Sequence, residues 1–182
     1  MLLMHIELRQ IVKGLKNNKA AGNDGIPSEV YKFASGRLMT MMSIFLSGCM
    51  LTGKLPNFLM HVVIIPLLKC KSKDPADVNK YRPIAIATAL SKVLEQFLLS
   101  RLARYLWNAD SQIGFQQAHG TEIAIFSVKQ TVDFCRNQDT LVYMCFLDAK
   151  KVFDRVNHWT PAKNLLDRNM PLHVVKLFIF WY

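Results

Sequence analysis

Residues 141–159 read Leu-Val-Tyr-Met-Cys-Phe-Leu-Asp-Ala-Lys-Lys-Val-Phe-Asp-Arg-Val-Asn-His-Trp. An apolar run rich in strand-forming types drives into one carboxylate, Asp148. Phe153 then precedes a second carboxylate, Asp154. A short apolar run closed by a charged residue is the pattern of a buried strand that carries its acid to the rim of a sheet. Two readings follow from the residues alone. Asp148 ends a strand while Asp154 caps the next helix, or Asp148 is an acid delivered to a reaction site.

Upstream, most of the chain has the helical period. Leu8, Ile11, Val12 and Leu15 fall at i, i+3, i+4 and i+7, with Arg9, Lys13 and Lys16 off that face, which predicts an amphipathic helix over residues 4–17. The segment Ala20-Ala21-Gly22-Asn23-Asp24-Gly25-Ile26-Pro27 gathers turn-forming residues. Ser28 and Glu29 then mark a helix start, with a helix from Glu29 to about Ser35 and a break at Gly36. A Met-rich helix follows from Arg37 to Leu51, in which Met39, Met41, Met42 and Met50 serve as adaptable core filling.

After a loop at Gly53-Lys54-Leu55-Pro56, residues Leu59 to Leu68 read as a buried strand interrupted at Pro66. The most basic segment comes next: Lys69, Lys71, Lys73, Lys80 and Arg82, strung through Asp74-Pro75, Asp77 and Asn79. Lying between two apolar strand-like runs, these cations form either an ordinary solvated loop or a positive hairpin suited to phosphate oxygens. Thr88 caps the clearest helix, Ala89 to Trp107, whose Leu90, Val93, Leu94, Phe97, Leu98, Leu102, Tyr105 and Leu106 keep the period. A loop over Asn108 to His119 leads to a helix opened by Thr121 and Glu122, with Ile125, Val128, Val132 and Cys135 on one side. Beyond residue 159, Thr160-Pro161 reads as a cap followed by proline in the first helical position. Pro171 opens a further segment that stops in an apolar aromatic run at Tyr182, an end expected to need covering.

Lys plus Arg number 23 against 13 Asp plus Glu, a formal charge of +10 that favours a polyanionic partner, nucleic acid or an acidic membrane surface. The 4 cysteines, Cys49, Cys70, Cys135 and Cys145, include no Cys-x-x-Cys, so neither a zinc signature nor a disulfide framework is expected. A reducing, intracellular setting, nuclear or cytoplasmic, fits them. Met1 to Gln10 makes a poor signal peptide, and Leu38–Leu51 and Phe58–Leu68 fall short of the roughly 18 apolar residues a spanning helix needs, so a soluble chain without a membrane partner is expected.

A strand-end acid suits a nucleophilic or a metal-binding carboxylate. Haloacid-dehalogenase-like chemistry asks for a second Asp two positions on, where this chain has Lys150. Two-metal phosphoryl transfer instead uses a strand-end Asp to bridge divalent ions about 4 Å apart.

The run Phe146 to Trp159 resembles the first catalytic motif of reverse transcriptases from non-LTR (LINE-like) retrotransposons, where a pattern similar to hydrophobic-Leu-Asp-x-x-Lys-Ala-Phe-Asp-x-Val is typical. Further resemblances come in the family's order. Asn18 to Pro27 is similar to its Lys-Ala-x-Gly-x-Asp-Gly-Ile-Pro segment. Ile65-Pro66-Leu67-Leu68-Lys69, Tyr81-Arg82-Pro83-Ile84-Ala85-Ile86 and Ser91-Lys92-Val93-Leu94-Glu95 resemble its fingers. Gln112-Ile113-Gly114-Phe115 with His119-Gly120-Thr121-Glu122 resembles the part before the catalytic strand. The ordered set is far more specific than any one piece.

The resemblance implies an α+β fold: an incomplete right-hand polymerase forming a single partial domain over 1–182. Mostly helical fingers and early palm helices would occupy about 1–140, and the first catalytic palm strand with following helices 141–182. It implies an RNA-directed DNA polymerase whose partners are an RNA template, a DNA primer and a dNTP. Asp148 would be a catalytic, metal-binding aspartate, and the Ala149 carbonyl would contact a second ion. Phe153 would gate against a ribose 2′-hydroxyl, Lys69 and Arg82 would clamp the incoming triphosphate, and Gly114 and Phe115 would line the template path. Mg²⁺ or Mn²⁺ is implied for the complete enzyme only. Val152, Ile113 and Gln116-Gln117 depart from the family pattern, and no Asp-Asp pair occurs in the chain. The expected hydrophobic-x-Asp-Asp hairpin, with the remaining palm and thumb, would lie past Tyr182, so the chain alone is expected to be inactive. Two alternatives stand beside that: a polymerase completed by further sequence or another chain, and a basic nucleic-acid-binding remnant without catalysis.

Overall fold

The computed structural model describes residues 5–69, 76–116, 118–149, 152 and 155–182. The expectations placed on Lys71, Lys73, Phe153 and Asp154 therefore fall outside the described residues. The chain divides into two compact units, Met1–Tyr105 with His158–Tyr182, and Leu106–Asn157.

In the first unit α1 (His5–Gly14), α2 (Ser28–Lys32), α3 (Gly36–Thr52) and α4 (Asn57–Met60) precede an antiparallel ribbon of β1 (Val63–Leu68) and β2 (Tyr81–Ile86). Then come α5 (Ala89–Leu102), a tighter turn over Ala103–Tyr105, and, at the end of the chain, α7 (Trp159–Asp167) and α8 (Leu172–Trp181). Helix α1 packs on α2, α3 and α5, while α8 packs on α3 and α7. The apolar stripe read from the sequence of α5 is the middle of this core: Val93, Leu94 and Phe97 are fully buried, with Leu8 and Val12 of α1, Leu46 and Met50 of α3, and Val175 and Leu177 of α8. Met39, Met42 and Met50 fill core space as expected. Met41 does not, because the helical period turns it to the opposite side of α3, where it is exposed.

Caps define the ends. The Ser35 hydroxyl accepts from Leu38 N–H at 3.3 Å, and Gly53 closes α3 in the left-handed conformation with φ +66. Thr88 Oγ1 accepts from Ser91 N–H at 3.1 Å, while Ser91 Oγ donates to the Leu59 carbonyl at 2.7 Å, so two fully buried hydroxyls satisfy each other and tie α5 to α4. Gly22 presses the preceding turn onto the same place: a Cβ there would sit 2.7 Å from both Thr88 N and Thr88 Cα. No larger residue fits without moving backbone. The turn is closed by Glu29, whose carboxylate accepts from Asn18 N–H, and by Lys32, which donates to the Asn17 side chain. The backbone N–H groups of Asn18 and of Glu29 itself, with Lys32 nearby, hold the Glu29 carboxyl below its ordinary range.

Several boundaries differ from the expected ones. Helix α2 ends at Lys32, and α5 ends at Leu102 because the next turn tightens. Helix α7 starts at Trp159, so Pro161 is its third residue; the first four N–H groups of a helix have no intrahelical partner, and a proline is tolerated there as well as in the first position. The strand expected as buried over Leu59 to Leu68 begins at Val63, after α4, and is exposed on most of its length. A two-stranded ribbon has two faces, and no other strand is paired with either of its edges among the described residues.

The second unit contains α6 (Thr121–Asn137), which buries no residue. Leu141 to Asp148, expected as a buried strand, form neither helix nor ladder, and Leu147 is 94% exposed. A strand exists by exchanging backbone hydrogen bonds with a neighbour, and none of the described residues supplies one. No helix among the described residues is long and apolar enough to cross a membrane.

Candidate functional site

The ribbon positions the predicted phosphate-binding pair. Its register sets Leu67 opposite Arg82, Pro66 opposite Pro83 and Leu68 opposite Tyr81. Lys69 N–H donates to the Lys80 carbonyl at 2.8 Å, which carries the same register one step further on one side only, since Lys80 N–H turns back to the Asp77 carbonyl at 3.0 Å. Hydrogen-bonded pairs alternate along an antiparallel ladder, so Leu67 with Arg82 is hydrogen-bonded and Pro66 with Pro83 is not. Both prolines thus point their missing N–H groups outward, where the ladder has no use for them. The same alternation puts Lys69 and Arg82 on one face at one end of the ribbon. Lys69 and Arg82 are diagonal neighbours, with backbones about 7–8 Å apart.

That end is held by side chains. Asp77 Oδ1 accepts from Asn79 N–H at 3.0 Å and from the Asn79 side-chain amide at 3.3 Å, while Asp77 Oδ2 stands 3.5 Å from Lys80 Nζ. Lys69 Nζ donates to the Asn79 carbonyl at 2.9 Å. Lys69 and Arg82 are both exposed. Asp77 and Asn79 carry no site expectation from the sequence. The signal that points to them is the Asp-x-Asn spacing, which favours a side-chain-closed turn.

The other expected site residues lie in the second unit, and each is exposed: Gly114, Phe115, Asp148 and Ala149. Phe115 is 97% exposed at φ +59, a left-handed conformation that costs a side-chain-bearing residue on the order of 1 kcal/mol or more. Gln112 Nε2 donates to the Gly114 carbonyl at 3.1 Å and braces that turn. Phe153 lies outside the described residues.

The donor set at Asp148 is small for a divalent cation. Among the described residues no three His, Cys, Asp or Glu side chains gather to hold a metal ion. One carboxylate and one carbonyl do not fit a pair of hard cations that each take about six oxygens, with several carboxylates bridging or flanking them. The described residues around this acid therefore do not by themselves make a two-metal centre.

Comparison with known proteins adds an independent finding. Residues 70–181 match the family model described as reverse transcriptase (RNA-dependent DNA polymerase). The chain is 28% identical over 181 residues to the "RNA-directed DNA polymerase from mobile element jockey" of Drosophila funebris, a match covering 94% of this chain and 19% of that protein. It is 29% identical over 154 residues to the "Retrovirus-related Pol polyprotein from type-1 retrotransposable element R2" of Popillia japonica, covering 84% of this chain and 20% of the relative. A third similarity, 28% over 130 residues, is to the corresponding R1 polyprotein of Bradysia coprophila, covering 70% of this chain and 13% of the relative. The chain thus spans about a fifth or less of the length of these relatives.

Proposed function

We infer, because this chain belongs to the reverse transcriptase (RNA-dependent DNA polymerase) family and its relatives come from non-LTR retrotransposons, that it is the triphosphate- and template-binding part of a longer RNA-directed DNA polymerase. The observation that carries this reading is the ribbon register, which sets Lys69 and Arg82 on one face at one end. An ammonium and a guanidinium presented side by side match the oxygens of a triphosphate, the guanidinium through two parallel hydrogen bonds and the lysine as a point charge. Lys80, in the turn that leads into β2, adds positive charge and is partly neutralised by Asp77.

In this reading the dNTP phosphates rest on the ribbon end, Phe153 screens the sugar, and Asp148 with the Ala149 carbonyl contributes to a divalent site for Mg²⁺ or Mn²⁺. Gly114 and Phe115 meet the template, for which the exposed, left-handed Phe115 is suited. The RNA template and DNA primer are the partners. Fingers and early palm account for the described helices and ribbon. The remaining carboxylates of the divalent site come from further sequence, since this chain has no Asp-Asp pair, and the chain by itself binds without incorporating nucleotide.

The test is dNTP binding by the 182-residue chain, measured by calorimetry or by competition with a fluorescent analogue. Replacing Lys69 and Arg82 together by Ala is expected to weaken binding tenfold or more, each charge-assisted contact being worth about 1.5–3 kcal/mol. Unchanged affinity in the double variant would overturn the assignment.

A further inference from the structure

Helices at the surface of a folded chain turn charged side chains to water, as α5 does with Glu95 and Arg101. Helix α3 does not: no charged residue occurs between Arg37 and Lys54. Met39, Met42, Leu46 and Met50 face the core. The opposite side of the helix therefore presents Met41, Ile44, Gly48 and Leu51, spaced by three, four and three residues, which is the spacing of a helix-pairing seam. Ile44 is 68% exposed, Met41 61% and Leu51 60%. The threonines beside them, Thr40 and Thr52, turn their hydroxyls back onto the Gly36 and Gly48 carbonyls at 3.1 and 2.9 Å. Leu38 borders this stripe, and Phe58 of α4, stacked on Phe45, extends the apolar surface at its edge. The exposed parts of Leu38, Met41, Ile44, Leu51 and Phe58 come to roughly 500 Å², a size at which a patch on a single chain marks an interaction site.

We propose that the outer face of α3 is the contact between two copies of this chain, paired antiparallel so that Ile44 of each copy fills the hollow at Gly48 of the other. The shape of the face selects a second copy as its occupant. Gly48 is a true hollow, since a Cβ built there meets nothing within 4 Å, and Ile44 is a bump one turn away. Ile44 with Gly48, and Met41 with Leu51, are both centred on residue 46. A twofold axis crossing the face at that level sets each bump into the partner's hollow and each Met41 against a Leu51, the self-complementary arrangement that a symmetric dimer requires. With its rim of Arg37, Thr40 and Thr52 the face reaches about 600 Å² per copy, the lower end for a specific dimer, so the association is weak and depends on concentration. Neither Ile44 nor Gly48 lies on the ribbon of Lys69 and Arg82, and the contact is independent of the triphosphate reading.

Sedimentation equilibrium of the whole chain, treated with nuclease and run across protein and salt concentration, reads the association. A dimer half formed at roughly 1–100 µM is expected. It should tighten as salt rises, because each copy carries a formal charge of +10 and the pairing brings Arg37 of one toward Lys54 of the other. Association bridged by nucleic acid would weaken with salt instead. Ile44→Lys and Gly48→Leu are each expected to weaken the dimer at least tenfold. At dilutions where single copies prevail, Ile44→Lys should leave the melting temperature nearly unchanged, and Gly48→Leu should raise it, leucine being the better helix former. A gain in the single copy joined to loss of the dimer is a result that a purely structural role for Gly48 would not give. A chain that stays monomeric at the highest concentration, a dimer that weakens with salt, or one left intact by both replacements would overturn the proposal.

Discussion

Helices α5 and α6 carry apolar residues at helical spacing, yet α5 buries Leu90, Val93, Leu94, Phe97, Leu98 and Leu102 whereas α6 buries none. The difference lies in what surrounds them. Helix α5 is met by α1 and α4 and is pinned by a buried hydroxyl pair; α6 is the one regular element described in its unit. Periodicity marks the face that gains by leaving water. It does not supply the partner that covers it. The ribbon that carries Lys69 and Arg82 belongs to the packed unit, while Asp148 stands in the one whose described apolar residues are not buried.

The largest effect expected from this contrast is at Phe97. Phe97→Ala should cost about 3–5 kcal/mol in chemical denaturation, the usual loss for emptying a fully buried aromatic site. Phe126→Ala on α6, where the ring is exposed, should stay within about 0.5 kcal/mol. Equal losses at the two positions would break the comparison. Smaller is Gly22→Ala, whose new Cβ would meet the Thr88 backbone at 2.7 Å; the shift it forces should cost about 1–3 kcal/mol in the same measurement. Thr88→Ala removes a buried cap and should cost about 1–2 kcal/mol, sharpening how much of the stability of α5 is local.

A pH series gives the smallest signal. The Glu29 carboxyl is held below its ordinary range in the folded chain, so its contribution is complete above the carboxylate pKa of the unfolded chain. It is lost as pH falls through the lower folded value. Melting temperature should therefore drop more steeply with acid for the parent chain than for Glu29→Gln in that window. Parallel curves would remove Glu29 from the closure of the turn.

Much of the packed unit was legible in the sequence, because α5 states its cap and its stripe within one stretch and Thr88, Phe97 and Leu102 do what their spacing says. The shared face of Lys69 and Arg82 was not, since it depends on a register that only the ladder reveals. Pro66 looked like an interruption for the same reason; paired with Pro83 at a site that exchanges no hydrogen bonds, it interrupts nothing. Leu141 to Leu147 have every local mark of a buried strand. Their exposure follows from the lack of a neighbouring strand among the described residues, which no local pattern can report. At Asp148 the motif identifies the family, and the comparisons bear that out; among the described residues no group of His, Cys, Asp or Glu able to hold a metal ion forms around it.

Primer extension tests this division most directly. With the purified chain, an RNA template, a DNA primer, dNTPs and Mg²⁺ or Mn²⁺, no nucleotide incorporation is expected under conditions where dNTP binding through Lys69 and Arg82 is measurable. Incorporation by this chain that disappears in Asp148→Ala would contradict it, and would show that the acid already has the partners it needs.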